Sequence, residues 1–351
     1  MTPAPSVWAW PPPRPVRRSR FARAEIPEGE SYHRLARTPL FRWWIPPLAI
    51  LVFAVLLSFL WIGVLVVMTI VAILGGGGLA PDSARVGEIA GLAFGLASMA
   101  LLIPLALFVA RVVQWRSAGS LISVDGRVRW RWMGVCLLVA LILAGTCAAL
   151  VPMLPFHSAD DAAVEATSAG TRAGIQVLLA ALTVIVLLVP LQSAAEELTM
   201  RGLVMQLVGS LGSEHGEGAF SRVMRSPWPA ILAGGTLFAA LYVSTHPGHV
   251  WTTASLVVFG VAMSWLTLRT GGLEAAIGLH VVNSLFQFTR CALEGRLSEV
   301  GTGVVIGAGL PVGADTPLTL LLTVVQVGLY VAVVLWCLRR FGPATRSAVH
   351  S

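Results

Sequence analysis

The chain has 351 residues and a formal charge of +7, from 24 basic and 17 acidic side chains. Hydrophobic residues make up 56% of it and charged residues only 12%, whereas soluble domains average about a quarter charged. So few charges cannot cover so much apolar surface, which excludes a disordered chain, a nucleic-acid-binding domain and an ordinary soluble enzyme. What remains is an all-α, polytopic transmembrane bundle. Every basic residue is arginine. Cys136, Cys147, Cys291 and Cys337 form no CxxC pair, so neither a disulfide framework nor a cysteine metal site is indicated.

The first 42 residues carry Pro11-Pro12-Pro13 and eight arginines against Glu25, Glu28 and Glu30. This composition predicts a flexible, basic cytoplasmic tail over 1–42. Eight apolar segments follow, at 44–74, 88–112, 133–153, 173–202, 229–246, 250–268, 273–290 and 317–338. Each is close to the roughly 20 residues a bilayer demands, and the fifth is the shortest. Backbone polar groups in lipid need internal partners, so these segments must be helices. Gly75 to Gly78 end the first, and Pro152, Pro155, Pro247 and Pro311 punctuate loops. The expected division is an N-terminal unit over 43–172 with three spans and a basic loop, a core of four spans over 173–290, and a last span with a short basic tail over 291–351.

Arginine-rich and arginine-poor loops alternate along this order, which predicts about eight spans with both termini cytoplasmic. Arg127, Arg129 and Arg131 interleave with Trp130 and Trp132. Beside a span, this reads as an anchor to anionic headgroups and not as a nucleic-acid patch. The location expected is therefore a plasma or bacterial inner membrane, with no nucleic-acid partner.

Ionisable side chains inside spans cost several kcal/mol each on insertion scales, so they mark function. Most segments have none; the exceptions lie in the second half. Glu196-Glu197-Leu198-Thr199-Met200-Arg201 closes the fourth segment. Glu197 and Arg201 share a helix face, while Glu196 points about 100° away. One carboxylate can thus be held by arginine while the other faces a cavity. His246 ends the fifth segment and His280 sits in the seventh, with Asn283 three residues on. A carboxylate and two imidazoles can hold and deprotonate a water, either as a general base with polar partners or as ligands of a divalent metal. His249 is expected to be solvated, and Gly234-Gly235 and Gly271-Gly272 to permit close helix contact or a turn. A straight fifth span would place His246 about 27 Å from Trp228, so segment 203–228 is expected to be more than a surface loop.

These residues resemble the CPBP family of intramembrane proteases, which includes CAAX prenyl endopeptidases and bacteriocin-processing and abortive-infection proteins. Glu196, Glu197 and Arg201 match its EExxxR motif. Tyr242-Val243-Ser244-Thr245-His246 is similar to its FxxxH motif, with tyrosine for phenylalanine. His280 matches its third motif, whose Asn or Asp comes four residues later; here Ser284 holds that place and Asn283 comes one early. The resemblance covers roughly 173–290. It implies hydrolysis of a peptide bond in a membrane-embedded or lipid-anchored substrate. Glu196 would be the general base, Glu197 would pair with Arg201, His246 and His280 would bind the water or a metal, and Asn283 would stabilise the oxyanion. The resemblance leaves metal-free and metal-bound forms open; zinc on Glu196, His246 and His280 is the candidate. A proton-coupled transporter or channel and an inactive scaffold are the rival readings.

Overall fold

A computed structural model describes residues 24–74, 81–150, 175–213, 215–245, 248–294 and 315–348. Among these no strand forms, and only three isolated bridges occur. The helices are α1 (Ile45–Leu74), α2 (Pro81–Ala100), α3 (Leu102–Phe108), α4 (Trp130–Leu150), α5 (Ile175–Glu197), α6 (Met205–Gly209), α7 (Ala219–Arg225), α8 (Pro227–Thr245), α9 (Val250–Thr270), α10 (Glu274–Glu294) and α11 (Pro317–Phe341). Wide π-helical turns at Val109–Val113 and Leu198–Val204 join α3 to its loop and α5 to α6.

The chain is a multi-pass membrane protein. Among the described residues, six helical stretches are long and apolar enough to cross a bilayer: Ile45–Val71, Gly87–Val113, Trp130–Leu150, Ile175–Gly209, Val250–Thr270 and Pro317–Phe341. The remaining two expected spans, α8 and α10, are helical but are not among the six. For α10 the reason is visible in its sequence. Glu274, His280, Asn283, Ser284 and Gln287 are all buried, so its polar face is turned inward and sheltered by α4, α5 and α9.

Apolar packing fixes that central position. Trp132 and Cys136 of α4, Phe259 and Met263 of α9, Leu279 of α10 and Tyr330 of α11 share one core cluster. Leu92 and Leu96 of α2, Ile185 and Val189 of α5 and Phe288 of α10 form another. The Tyr330 hydroxyl donates to the Ala275 carbonyl at 2.7 Å, tying α11 to the start of α10. α8 and α9 cross backbone to backbone. A Cβ on Gly260 would lie 1.9 Å from the Gly235 carbonyl oxygen, and one on Gly235 would lie 2.7 Å from the Val261 nitrogen. Small residues allow such approaches between membrane helices. Gly271 ends α9 in the left-handed region at φ 69°, a conformation that suits glycine. Both glycine pairs therefore act as the sequence leads one to expect.

Three expectations change. Residues 24–42 are not a flexible tail: Tyr32 and Leu35 are fully buried, and the Tyr32 hydroxyl donates to the Leu121 carbonyl. Ser347 donates its N–H to the Glu30 carbonyl at 3.2 Å, so the stretch before α1 is joined to the stretch after α11. The composition hid this because two apolar side chains among many arginines suffice to seat the segment. Arg129 is not a headgroup anchor either. It is buried against Glu274, and Trp132 is also buried, while Trp130 remains exposed. Finally, the fourth segment does not stop near 202. Its helical rod runs on to Gly209 through the wide turn, and α7 follows. Segment 203–228 is thus structured, as expected.

Candidate active site

Four ionisable residues from two helices meet at the wide turn. Glu197 closes α5, and Arg201 follows within the π-helical segment. Pro190 lies inside α5, where its ring removes one backbone N–H from the ladder. π-turns of this kind are rare and frequent at functional sites. Arg201 Nη1 donates to Glu197 Oε1 at 3.0 Å. Arg201 Nη2 reaches the Gly260 carbonyl at 3.4 Å, which the α8–α9 crossing brings near.

His280 of α10 completes the group. Its Nδ1 is 2.8 Å from Glu197 Oε1, so Glu197 receives both the guanidinium and the imidazole. With Arg201 holding Glu197 as an acceptor, the proton of the neutral ring belongs on Nδ1, and Nε2 presents a lone pair. That Nε2 faces Glu196 Oε2 at 3.7 Å. Glu196 Oε1 accepts from Gln192 Nε2 at 2.6 Å. Phe259 of α9 stands edge-on to the imidazole, with centroids 6.0 Å apart. Glu196, Glu197, Arg201 and His280 are thereby brought together.

Many of these groups are only partly satisfied. Glu196 Oε2, Glu197 Oε2, Arg201 Nε and His280 Nε2 are buried without a protein hydrogen-bond partner. So are the hydroxyls of Ser264 and Thr267 on α9 and Ser284 on α10. Buried polar atoms are almost always paired with protein or water. Four of these orphaned atoms, on Glu196, Glu197, Arg201 and His280, belong to one contiguous group and therefore mark a place that binds water or a polar ligand.

The other sequence candidates lie differently. Asn283 is buried but engaged: its Oδ1 accepts from Gln326 Nε2 at 2.8 Å, and its Nδ2 approaches Gln326 Oε1 at 3.4 Å. It braces α10 against α11. Ser284, four residues after His280, shares the histidine's helix face. α10 is a regular α-helix throughout, so the wide turn falls on the EExxxR helix and not on the histidine helix. His246 lies outside the described residues. His249 is half-buried and not simply solvated, with Nδ1 3.5 Å from the Tyr242 hydroxyl. The described donors give no group of three His, Cys, Asp or Glu able to hold a metal. Glu196 and His280 supply two donor atoms, and a catalytic zinc takes three protein ligands.

Two features were missed in the sequence. The Arg129–Glu274 pair is 145 residues apart, and Gln326 is 43 residues from Asn283. The one available signal was Glu274 itself, a carboxylate at the head of an otherwise interior helix.

Comparison with known proteins bears on the same stretch. Residues 176–286 match the family model of the type II CAAX prenyl endopeptidases, described as Rce1-like. The match contains all six sequence candidates, and the resemblance drawn from the three motifs holds. Over 103 residues the chain is 32% identical to YyaK of Bacillus subtilis strain 168, an uncharacterized protein; the alignment covers 28% of this chain and 30% of YyaK. The chain thus spans about a third of the length of the curated relative it matches. No solved structure matches. Arg129 and Gln326, which brace the CAAX-endopeptidase-like segment, lie outside it.

Proposed function

We propose that the chain is an intramembrane endopeptidase that cleaves a peptide bond in a membrane-embedded or lipid-anchored substrate. One observation supports this most: Glu196 Oε2 and His280 Nε2 face each other at 3.7 Å, both buried and both without a partner. A water hydrogen-bonded to the two at about 2.8 Å fits beside that gap. Glu196 takes a proton from this water, and the resulting hydroxide adds to the scissile carbonyl carbon. The proton then passes to the leaving nitrogen as the C–N bond breaks.

Glu197 and Arg201 act through His280. They fix its tautomer so that Nε2 holds the water by its lone pair. Ser284, whose hydroxyl is orphaned one helical turn from His280, would donate to the developing oxyanion. Asn283 serves as a brace. Zinc would need His246 as a third ligand beside Glu196 and His280, and no step above is routed through it. Glu196, Glu197, Arg201 and His280 form one contiguous group, which favours chemistry over transport.

The test is cleavage of a prenylated, CAAX-ended peptide and of its unprenylated twin in proteoliposomes. Wild type should release the tripeptide, and Glu196→Gln should slow release by about 10³-fold, within the range for loss of a general base. Equal release by both would overturn the reading. Metal content of the purified protein, with and without His246→Ala, decides whether zinc belongs to the site.

A further inference from the structure

Arg34, Arg116, Arg129 and Arg201 are the buried arginines among the described residues. Three of them meet a carboxylate within 3.4 Å: Arg34 with Glu30, Arg129 with Glu274 and Arg201 with Glu197. Arg116, at 1% exposure, has only neutral partners. Its Nη1 donates to Ser120 Oγ at 2.6 Å and to Gln206 Oε1, and its Nε donates to Gln114 Oε1 at 2.7 Å. Its Nη2 has no partner, and neither has Nε2 of Gln114.

The Nε and Nη2 edge of a guanidinium is the one that grips carboxylates and phosphates with two parallel bonds. Arg129 uses it so, with Nε 2.8 Å from Glu274 Oε1 and Nη2 2.7 Å from Oε2. On Arg116 a neutral amide occupies half of that edge. The other half, and the amide's own NH2, are left as two buried donors beside an uncompensated positive charge. Burial draws the Arg116 pKa down to about 10. Tyr32, the titratable group that acts on it electrostatically, is itself kept neutral because burial raises its pKa. Among the described residues none thus supplies a counter-charge where burial makes one most needed.

The position indicates what does. Gln114 directly follows the span that ends at Val113. Trp115 stands 42% exposed between Gln114 and Arg116, with a left-handed φ of 53°. That conformation is uncommon for a bulky residue and tends to be held at functional sites. Here it leaves the indole at the surface while Arg116 turns inward. Exposed tryptophan at the end of a span marks headgroup level, where the abundant anion is lipid phosphate.

We propose that Arg116 and Gln114 form a binding site for a phosphate group, taken from the headgroup of a membrane lipid. The phosphate accepts from Arg116 Nη2 and Gln114 Nε2 and supplies the missing charge. The Ala24 N–H is bonded to the Trp115 carbonyl at 2.9 Å, between the residues that carry the two donors.

The experiment measures thermal unfolding of the full chain, stripped of lipid in a maltoside detergent. Phosphatidylglycerol in mixed micelles should raise Tm by about 5 °C, and diacylglycerol should not. Inorganic phosphate giving the same rise would assign the site to the free ion; a rise with phosphatidylglycerol alone assigns it to the lipid. Gln114→Glu places an internal carboxylate on the Arg116 edge. It should raise the lipid-free Tm and abolish the phosphatidylglycerol shift, and Arg116→Met should also abolish the shift. No shift in wild type, an equal shift with diacylglycerol, or a shift that survives in Gln114→Glu would overturn the proposal. If Arg116→Met does not fold, Gln114→Glu decides alone.

Discussion

Among the described residues, two arginine–glutamate pairs have both partners buried, and they are built to different ends. Between Arg129 and Glu274, Nε and Nη2 grip both carboxylate oxygens, Nη1 reaches the carbonyls of Thr270 and Ala344, and the Arg129 N–H also donates to Oε1. Neither side chain has an orphaned atom. Between Arg201 and Glu197 a single 3.0 Å contact forms, and both Arg201 Nε and Glu197 Oε2 are left over. Buried ion pairs contribute stability only when their remaining hydrogen-bonding capacity is filled. The first pair is therefore a strut that fixes the head of α10. The second is an incomplete constellation that leaves capacity for water and for His280.

The sharpest way to break this contrast is to neutralise one carboxylate in each region. Glu196→Gln keeps shape and the Gln192 contact but removes the proton acceptor. We expect peptide cleavage to fall by about 10³-fold with Tm unmoved, measured by product release and by thermal unfolding of the same sample. Glu274→Ala should do the reverse in kind. It strands Arg129 in a buried site and should cost about 3–5 kcal/mol of stability, read from chemical denaturation, with activity lost only as fast as the fold. The double replacement Arg129→Leu with Glu274→Leu removes both charges and should recover most of that stability, because matched apolar pairs often replace buried ion pairs without loss. A Glu274→Ala protein that stays fully folded but inactive would erase the distinction between strut and site.

Next in size is the donor on the histidine helix. Ser284→Ala should reduce kcat by about 10²-fold, the loss reported by removal of one oxyanion donor, with Tm within a degree. A Ser284→Ala protein with unchanged kcat would move the oxyanion contact elsewhere.

How much of this could be read before any coordinates follows from the range of each interaction. Helices longer than about 20 apolar residues are dictated by the bilayer itself, so α1, α4, α9 and α11 fall close to their expected bounds. Glu197 and Arg201 are four apart on one helix, and local periodicity alone brings them together. His280 needed only its presence on an apolar helix, where an ionisable group asks for a reason. The interactions that escaped are those with no local signature. Nothing near Arg129 in sequence points to a carboxylate 145 positions on. Nothing in the basic stretch before α1 says that Tyr32 and Leu35 will be buried. The wide turn at Leu198–Val204 also left no mark, since its residues suit an ordinary helix. It is held by tertiary packing, including the approach of Gly234, whose Cβ would lie 2.9 Å from the Met200 carbonyl oxygen.

The smallest effect tests where the site ends and its support begins. Asn283 and Gln326 exchange two hydrogen bonds between α10 and α11. Gln326→Leu leaves the buried Asn283 amide unpaired, which should cost about 1–3 kcal/mol. Asn283→Leu alone should cost a similar amount by orphaning Gln326. Replacing both with leucine removes the pair and its desolvation together, so the double variant should be more stable than either single one. If the pair is a brace, the double variant also keeps cleavage within a few fold of wild type. If Asn283 touches the reacting carbonyl, stability returns while kcat stays about 10²-fold low. The brace belongs with Arg129 and Glu274 on the structural side of the contrast. The same cycle, repeated in the Ser284→Ala background, shows whether the two neighbouring positions act on one transition state: additive losses in kcat would mean independent roles, and a shared role would appear as a second loss smaller than the first.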